Sequence, residues 1–322
     1  MNKADFRIVF MGTPDFAVES LKALVENGYQ VVGVVTASDK PAGRGQKLQQ
    51  SAVKKYAVQQ GLPVLQPEKL KNPEFLEALR QLKAHLNVIV AFRMLPESVW
   101  NMPPLGSINL HGSLLPHYRG AAPINWAIIN GEQKTGVTTF FLKHEIDTGN
   151  ILFQEAIPIA PNDTAGHIHD QLMHLGAKLM VKTVQAVIDK NYQEIPQSQI
   201  AESRLKQAPK LFKDDCKVNW GVSGFDIHNL IRGLSPHPAA WSEFIKPDGS
   251  LLSFKIYRST FENQEHNLEP GSLFIDNKTE LKVAVIDGYI YLHEIQLSGK
   301  KRMSVSEVLR GMPQAAQLKL NQ

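Results

Sequence analysis

The 322 residues contain a single cysteine, Cys216. One thiol excludes an internal disulfide and fits a reducing compartment. Long apolar runs are missing as well. No uninterrupted stretch approaches the roughly 20 residues of a membrane span. The apolar run after M-N-K-A-D-F-R is too short for a secretion signal, and Asp5 and Arg7 interrupt its approach. The expected location is therefore the cytoplasm, with no membrane partner. Strong charge of one sign is also lacking. Lys and Arg number 35 against 31 Asp and Glu, a net charge of +4. A general electrostatic affinity for nucleic acid is thus not expected, and any such role must come from the placement of a few cations. The glycine fingerprint G-x-G-x-x-G is absent, since Thr13 and Pro14 follow Gly12. A nicotinamide or flavin dinucleotide site is disfavoured on that ground. No His, Cys and carboxylate set has metal-ligand spacing, and no metal is expected.

What is present begins as an α/β fold. Ile8 to Met11 is a short apolar run ended by Gly12, which predicts a buried strand. Thr13-Pro14-Asp15 opens a helix, with Thr13 a candidate cap and Pro14 suited to the first position. Val31 to Val35 is the next buried strand, completing the strand–helix–strand start of a doubly wound sheet. Ala37 to Gln50 is a long connection, with Arg44 between two glycines and Lys40 and Lys47 on either side. It is either a solvated surface loop or a cationic finger that orders on an anionic partner. Helices are predicted from Ser51 to Gln60 and Pro73 to His85, a strand at Val88 to Ala91, and a helix from Pro123. Thr135 to Leu142 and Ile151 to Ile159 read as strands joined by K-H-E-I-D-T-G-N, an antiparallel hairpin with Asp147 at its tip. One long helix follows, Thr164 to Asp189.

The expected fold class is thus α/β: a Rossmann-like, doubly wound, mostly parallel sheet over residues 1–189. Residues 190–210 are polar and Pro-containing and read as a linker. Residues 211–322 carry a short helix (Ser223 to Arg232) and then alternating strands near 252–258, 272–276, 280–286 and 289–296, the pattern of a small β-barrel.

Chemistry concentrates in Ser107 to Pro123, S-I-N-L-H-G-S-L-L-P-H-Y-R-G-A-A-P. Ile108 and Leu110 alternate with Asn109 and His111, so an amide and an imidazole share one strand face. They stand at the carboxyl end of a strand, where open α/β sheets place ligands. Asp147 joins them if its hairpin packs beside that strand. An amide N–H and an imidazole N–H aimed at one point form a donor pair for a developing oxyanion. A nearby carboxylate favours the charged imidazole and orients it. No nucleophile stands with them: Cys216 is distant in sequence, and Ser113 lacks a nucleophile-elbow context. Direct attack by an amine therefore fits better than a covalent acyl-enzyme. His167 and His169 fall at a helix start and read as surface histidines.

The run N-L-H-G-S-L-L-P-H-Y-R-G-A-A-P, with G-T-P-D-F-A near the start and I-D-T-G further on, closely resembles the formyltransferases that use 10-formyltetrahydrofolate. The resemblance covers essentially the whole chain. P-A-G-R-G at Pro41 to Gly45 is similar, more narrowly, to the branch that acts on initiator methionyl-tRNA. The resemblance implies formyl transfer from 10-formyltetrahydrofolate to the amine of methionyl-tRNA, with Asn109, His111 and Asp147 catalytic. It implies a folate pocket lined by Ser113, Leu114, Leu115 and Pro116. Arg44, with Lys40 and Lys47, would engage the acceptor end of the tRNA, and an OB-like second domain would add further tRNA contacts. A monomer is expected. One departure is evident. Where the family commonly has A-Y-G before L-P, this chain has Ala91-Phe92-Arg93-Met94-Leu95-Pro96 and is one residue shorter, at the border of the folate pocket. The rival readings are a formyltransferase for amino sugar nucleotides, a formyl-hydrolysing module and an OB-type nucleic-acid-binding module on an inactive scaffold. Lys300, Lys301 and Arg302 are either a solvated turn or a second tRNA contact.

Overall fold

The computed structural model describes residues 2–42, 47–199, 204–276, 279–312 and 315–321. The chain divides into two compact units that interleave in sequence. Residues 1–120, 135–157 and 169–207 form the first; residues 121–134, 158–168 and 208–322 form the second.

In the first unit, β1 (Arg7–Gly12) is followed by α1 (Asp15–Glu26) and β2 (Gln30–Val35). Pro14, not Thr13, occupies the N-cap of α1 and contributes no side-chain cap. The connection after β2 is not irregular throughout: β3 (Lys40–Ala42) and β4 (Lys47–Gln49) pair as an antiparallel ribbon. Next come α2 (Ala52–Gln59), β5 (Val64–Leu65), α3 (Pro73–Gln81), β6 (Leu86–Val90), α4 (Glu97–Trp100), β7 (Ser107–His111) and β8 (Arg119–Gly120). The Ser51 hydroxyl caps α2 by accepting from Lys54 N–H, and Asn72 caps α3 in the same way through Glu74 N–H. These caps satisfy amides that the first helical turn leaves without partners.

Between the first two of the first unit's three stretches lies α5 (Pro123–Ile129), which belongs to the second unit. The chain continues through β9 (Lys134–Phe141), β10 (Ile151–Pro158) and α6 (Ala165–Asp189). The sheet order is β10-β9-β7-β6-β1-β2-β5. β1, β2, β5, β6 and β7 run parallel, and β9 turns antiparallel against β7. That order reverses direction on either side of β1, which makes the sheet doubly wound, and ligands of such sheets lie outside the strands' carboxyl ends. β6 is buried along its whole length, as a central parallel strand requires. Val9, Met11, Val35, Phe75, Leu79, Ile89 and Val99 form one core on this sheet.

Within the span 190–210, expected as a linker, the described residues 190–199 and 204–207 group with the first unit and 208–210 with the second. Ile195 bridges to Ile151 through two backbone hydrogen bonds of 2.9 Å, and Lys206 O accepts from Tyr118 N–H at 2.5 Å. β11 (Gln207–Ala208) pairs with β8.

The second unit is built on α7 (Gly224–Leu234), β12 (Ala240–Ile245), β13 (Leu251–Asn263), β14 (Leu273–Ile275), β15 (Leu281–Val285), β16 (Gly288–Leu297), β17 (Met303–Ser304), α8 (Val305–Arg310) and β18 (Lys319–Leu320). Its sheet runs β14-β15-β16-β13-β12-β18, with β17 also on β16. Register shifts along β13, between Ile256 and Ser259, bend this long strand so that the sheet curls into an OB-like barrel. The core includes Trp220, Ile231, Phe244, Phe254, Ile256, Val283 and Ile295. β12 is absent from the sequence-based expectation, although its burial alternates strictly along A-W-S-E-F-I. Among the described residues, no helix is long and apolar enough to cross a membrane.

Candidate active site

β7 carries the first two candidate side chains. Asn109 is half-buried and His111 buried. In the antiparallel pairing with β9, Asn109 faces Phe140 and His111 faces Thr138. The strand is seated at its base: the Asn87 amide donates to Ser107 Oγ at 3.1 Å, and Ser107 Oγ donates to Trp100 O at 2.5 Å.

The loop after β9 brings the third. β9 and β10 pair antiparallel, with Phe141 N–H donating to Asn150 O at 3.2 Å. The loop between them returns so closely over the end of β9 that a Cβ on Gly149 would lie 1.6 Å from Phe141 O. Only glycine fits there. Asp147 sits in this loop with φ of +55°, a left-handed conformation uncommon outside glycine. Its Oδ2 accepts the Gly120 N–H at 3.1 Å and lies 3.8 Å from His111 Nδ1. The two side chains are only 7% and 12% exposed, so their attraction is weakly screened by solvent.

The expectation that Asp147 orients His111 is corrected in one respect. A separation of 3.8 Å is ion-pair range and too long for a hydrogen bond. The ring is oriented by its other nitrogen: Nε2 lies 2.8 Å from Tyr118 O. A carbonyl only accepts, so Nε2 carries a proton and donates. Nδ1 is thereby the nitrogen left facing Asp147. Tyr118 presents that carbonyl from a left-handed backbone of its own, with φ of +61°.

Ser113 to Pro116 follow directly. Ser113 is fully buried, and its hydroxyl donates to His117 O at 2.8 Å. Leu115 is buried against Phe140 and Ile151. Thr138 Oγ1 donates to Ser113 O at 2.6 Å and accepts from Leu115 N–H at 3.2 Å. The side chains of Ser113 and Leu115 therefore hold the loop together, and the partly exposed side chains are those of Leu114 and Pro116. At the divergent segment, Ala91 has φ of +46°, and the Arg93 guanidinium donates to the carbonyls of Pro67 and Glu68. Arg93 thus pins its own loop to the chain after β5.

Of the cationic connection, Lys40 is exposed on β3, Lys47 begins β4, and Arg44 lies outside the described residues. The root of the ribbon is fixed. Asp39 accepts from Lys54 Nζ at 2.6 Å and from Gln66 Nε2 at 2.8 Å. Those two hydrogen bonds hold its carboxyl below the usual carboxylate range. In the second unit, Arg302 is committed to Glu294 at 2.5 Å and stacks 4.3 Å above the Tyr257 ring. His167 is exposed and pairs with Asp163 at 2.7 Å.

Sequence reasoning missed Gln197. It lies in a single 3₁₀ turn, Gln197–Gln199, and is buried. Its Nε2 donates to Asp147 O at 2.9 Å and to Gly149 O at 2.6 Å. Its Oε1 accepts from Arg119 Nε at 3.1 Å and from the Arg119 terminal nitrogen at 2.8 Å.

Two family models match the chain: "Formyl transferase" over residues 6–184 and "Formyl transferase, C-terminal domain" over residues 210–313. A methionyl-tRNA formyltransferase of Bacteroides fragilis is 56% identical, over 97% of this chain and 96% of the relative. One of Parabacteroides distasonis is 57% identical over 98% of this chain and 99% of its own length. Among solved structures, an N-formyltransferase of Helicobacter canadensis in complex with folinic acid and dTDP-3-aminofucose is 25% identical. It superposes with a TM-score of 0.65, covering 94% of this chain and all of that one. The chain belongs to the formyl transferase family.

Proposed function

We propose that this chain transfers the formyl group of 10-formyltetrahydrofolate to the α-amine of methionine esterified to initiator tRNA, in the cytoplasm. The observation that carries the reading is the meeting of His111 Nδ1 and the Asp147 carboxylate at 3.8 Å, beside Asn109 on the same strand face. The acceptor is supported by the near-full-length identity to relatives named methionyl-tRNA formyltransferase.

Each residue then has a task. The Asn109 amide donates to the formyl oxygen as the attacking amine makes it anionic. His111 donates from Nδ1, which requires the charged ring because Nε2 already carries its own proton to Tyr118 O. Asp147 supports that charge from 3.8 Å and accepts the amine's proton. The bond from the formyl carbon to N10 breaks, and the proton taken from the amine ends on N10 of the departing tetrahydrofolate. No covalent acyl-enzyme is formed. Leu114 and Pro116, with the backbone of Ser113 and Leu115, wall the folate pocket. Residues 1–189 perform the chemistry. Arg44, with Lys40 and Lys47 of the ribbon, engages the acceptor end of the tRNA, and the barrel of residues 211–322 adds contacts.

The test offers 10-formyltetrahydrofolate with methionyl-tRNA in one arm and a dTDP-amino sugar in the other. N-formylmethionyl-tRNA is the expected product. Formylation of the sugar alone, or release of formate with no acceptor, contradicts the proposal.

A further inference from the structure

Asp147 owes its position to its backbone more than to its side chain. Its left-handed φ of +55° is a conformation that residues with a Cβ seldom adopt, and it persists only when neighbours determine it. Its carboxylate accepts at 3.1 Å from the N–H of Gly120, the residue next to Arg119. The carbonyls on either side of the tip, Asp147 O and Gly149 O, both accept from Gln197.

Gln197 uses its hydrogen-bonding capacity in full. Both N–H bonds of its amide are spent on the two loop carbonyls, and both lone pairs of Oε1 face the Arg119 guanidinium. The orientation is unambiguous. A flipped amide would set N–H against guanidinium N–H and oxygen against two carbonyls. One buried amide therefore ties the strand segment that ends in Gly120 to the loop that carries Asp147.

We propose that Gln197, backed by Arg119, is a positioning residue for the transfer reaction: it holds the 147–149 loop so that the Asp147 carboxylate stays within ion-pair reach of His111. This rests on the catalytic reading given for His111 and Asp147. Gln197 touches neither substrate. Its influence passes through the backbone of Asp147 and Gly149, and a shift of about 1 Å at a catalytic group costs on the order of 10²-fold in rate.

Two variants separate this role from a merely structural one. Gln197→Leu removes all four hydrogen bonds. Gln197→Glu keeps an acceptor for Arg119 and places an oxygen against the two loop carbonyls. Each is made in the wild-type chain and in the Asp147→Asn chain, and steady-state formylation of methionyl-tRNA is measured with thermal unfolding alongside. In the wild-type chain, kcat is expected to fall at least about 10-fold in both variants, with KM for 10-formyltetrahydrofolate and tRNA within about twofold. In the Asp147→Asn chain the same substitutions are expected to change kcat by less than about threefold, because residues acting as a unit are non-additive. A wild-type kcat in either folded variant overturns the proposal. So does an equal fractional loss in both backgrounds, or a loss confined to KM. If Gln197→Leu does not fold, the Glu variant decides by the same criteria. Failure of the wild-type chain to form N-formylmethionyl-tRNA refutes the underlying reading instead, and that result is visible before any variant is compared.

Discussion

His111 and Asp147 stand 3.8 Å apart, Nδ1 to Oδ2, while the other ring nitrogen of His111 is held at 2.8 Å by the Tyr118 carbonyl. The imidazole is held from one side and faces a carboxylate on the other. This division of labour lets the charge be removed without releasing the ring. Asp147→Asn keeps shape and removes the charge, so it should lower kcat severely and leave the fold intact. Thermal unfolding beside steady-state kinetics checks both halves. A kcat within about threefold of wild type would count against a charged His111 in the transition state.

Asn109→Ala and His111→Ala each remove one oxyanion donor. Loss of such a donor typically costs about 10²–10³ in kcat. The melting temperature should hardly move for Asn109→Ala, whose side chain is half-exposed. Single-turnover formylation, with both substrates saturating, is the suitable readout.

Gly149→Ala tests the loop geometry without touching a polar group. The added Cβ would lie 1.6 Å from Phe141 O, so the loop must move. The expected result is loss of kcat together with a lowered melting temperature. An alanine variant with wild-type rate and stability would mean that the loop does not need its observed path.

The ribbon predicts a different signature. Lys40→Ala and Arg44→Ala should raise KM for methionyl-tRNA and leave KM for 10-formyltetrahydrofolate unchanged. Phosphate contacts release counterions, so wild-type activity should fall as salt rises, and each variant should flatten that slope. A folate defect with an unchanged response to tRNA would contradict the assignment.

In the second unit, His228 is buried, with Nδ1 3.1 Å from Ser259 Oγ and Nε2 3.2 Å from Pro161 O. Burial pushes its pKa below the ordinary histidine value, the Pro161 carbonyl opposes that, and Arg232 and His293 reinforce it. Burial, followed by Arg258, lowers His293 as well. A depressed folded-state pKa means the unfolded chain takes up the proton first. The stability at stake is whole above about pH 6.5 and is lost as pH falls through that value towards the folded one. The denaturation midpoint should therefore drop between pH 7.5 and pH 5.5, and His228→Asn should drop less. Equal slopes for the variant and the wild type would refute this.

Much of the site was legible because its signals are periodic or local. Alternation alone put Asn109 and His111 on one face of β7, and turn composition put Asp147 at a hairpin tip. The groups that hold them left no such trace. Tyr118 acts through a backbone carbonyl, which any residue possesses. Gln197 bonds to carbonyls and a guanidinium far along the chain, and its own stretch is polar and Pro-containing, as a linker would be. Ser113 and Leu115 were expected to face folate. Their side chains turn inward, the Ser113 hydroxyl to His117 O and Leu115 to Phe140 and Ile151, partners that sequence spacing does not reveal. The β3–β4 ribbon leaves no signal in the sequence, because three-residue strands are too short for a period to register. β12 alternates in burial but not in polarity: in A-W-S-E-F-I, Ser242 is buried while Trp241 and Ile245 are half-buried, so no period of two shows in the sequence.

The most direct test of the account is single-turnover formylation of methionyl-tRNA by the wild-type and His111→Ala chains at saturating 10-formyltetrahydrofolate. The account predicts N-formylmethionyl-tRNA from the wild type and a rate about 10²–10³ lower from a folded His111→Ala chain. A folded His111→Ala chain that turns over at the wild-type rate, or a wild-type chain that leaves methionyl-tRNA unformylated, would contradict it.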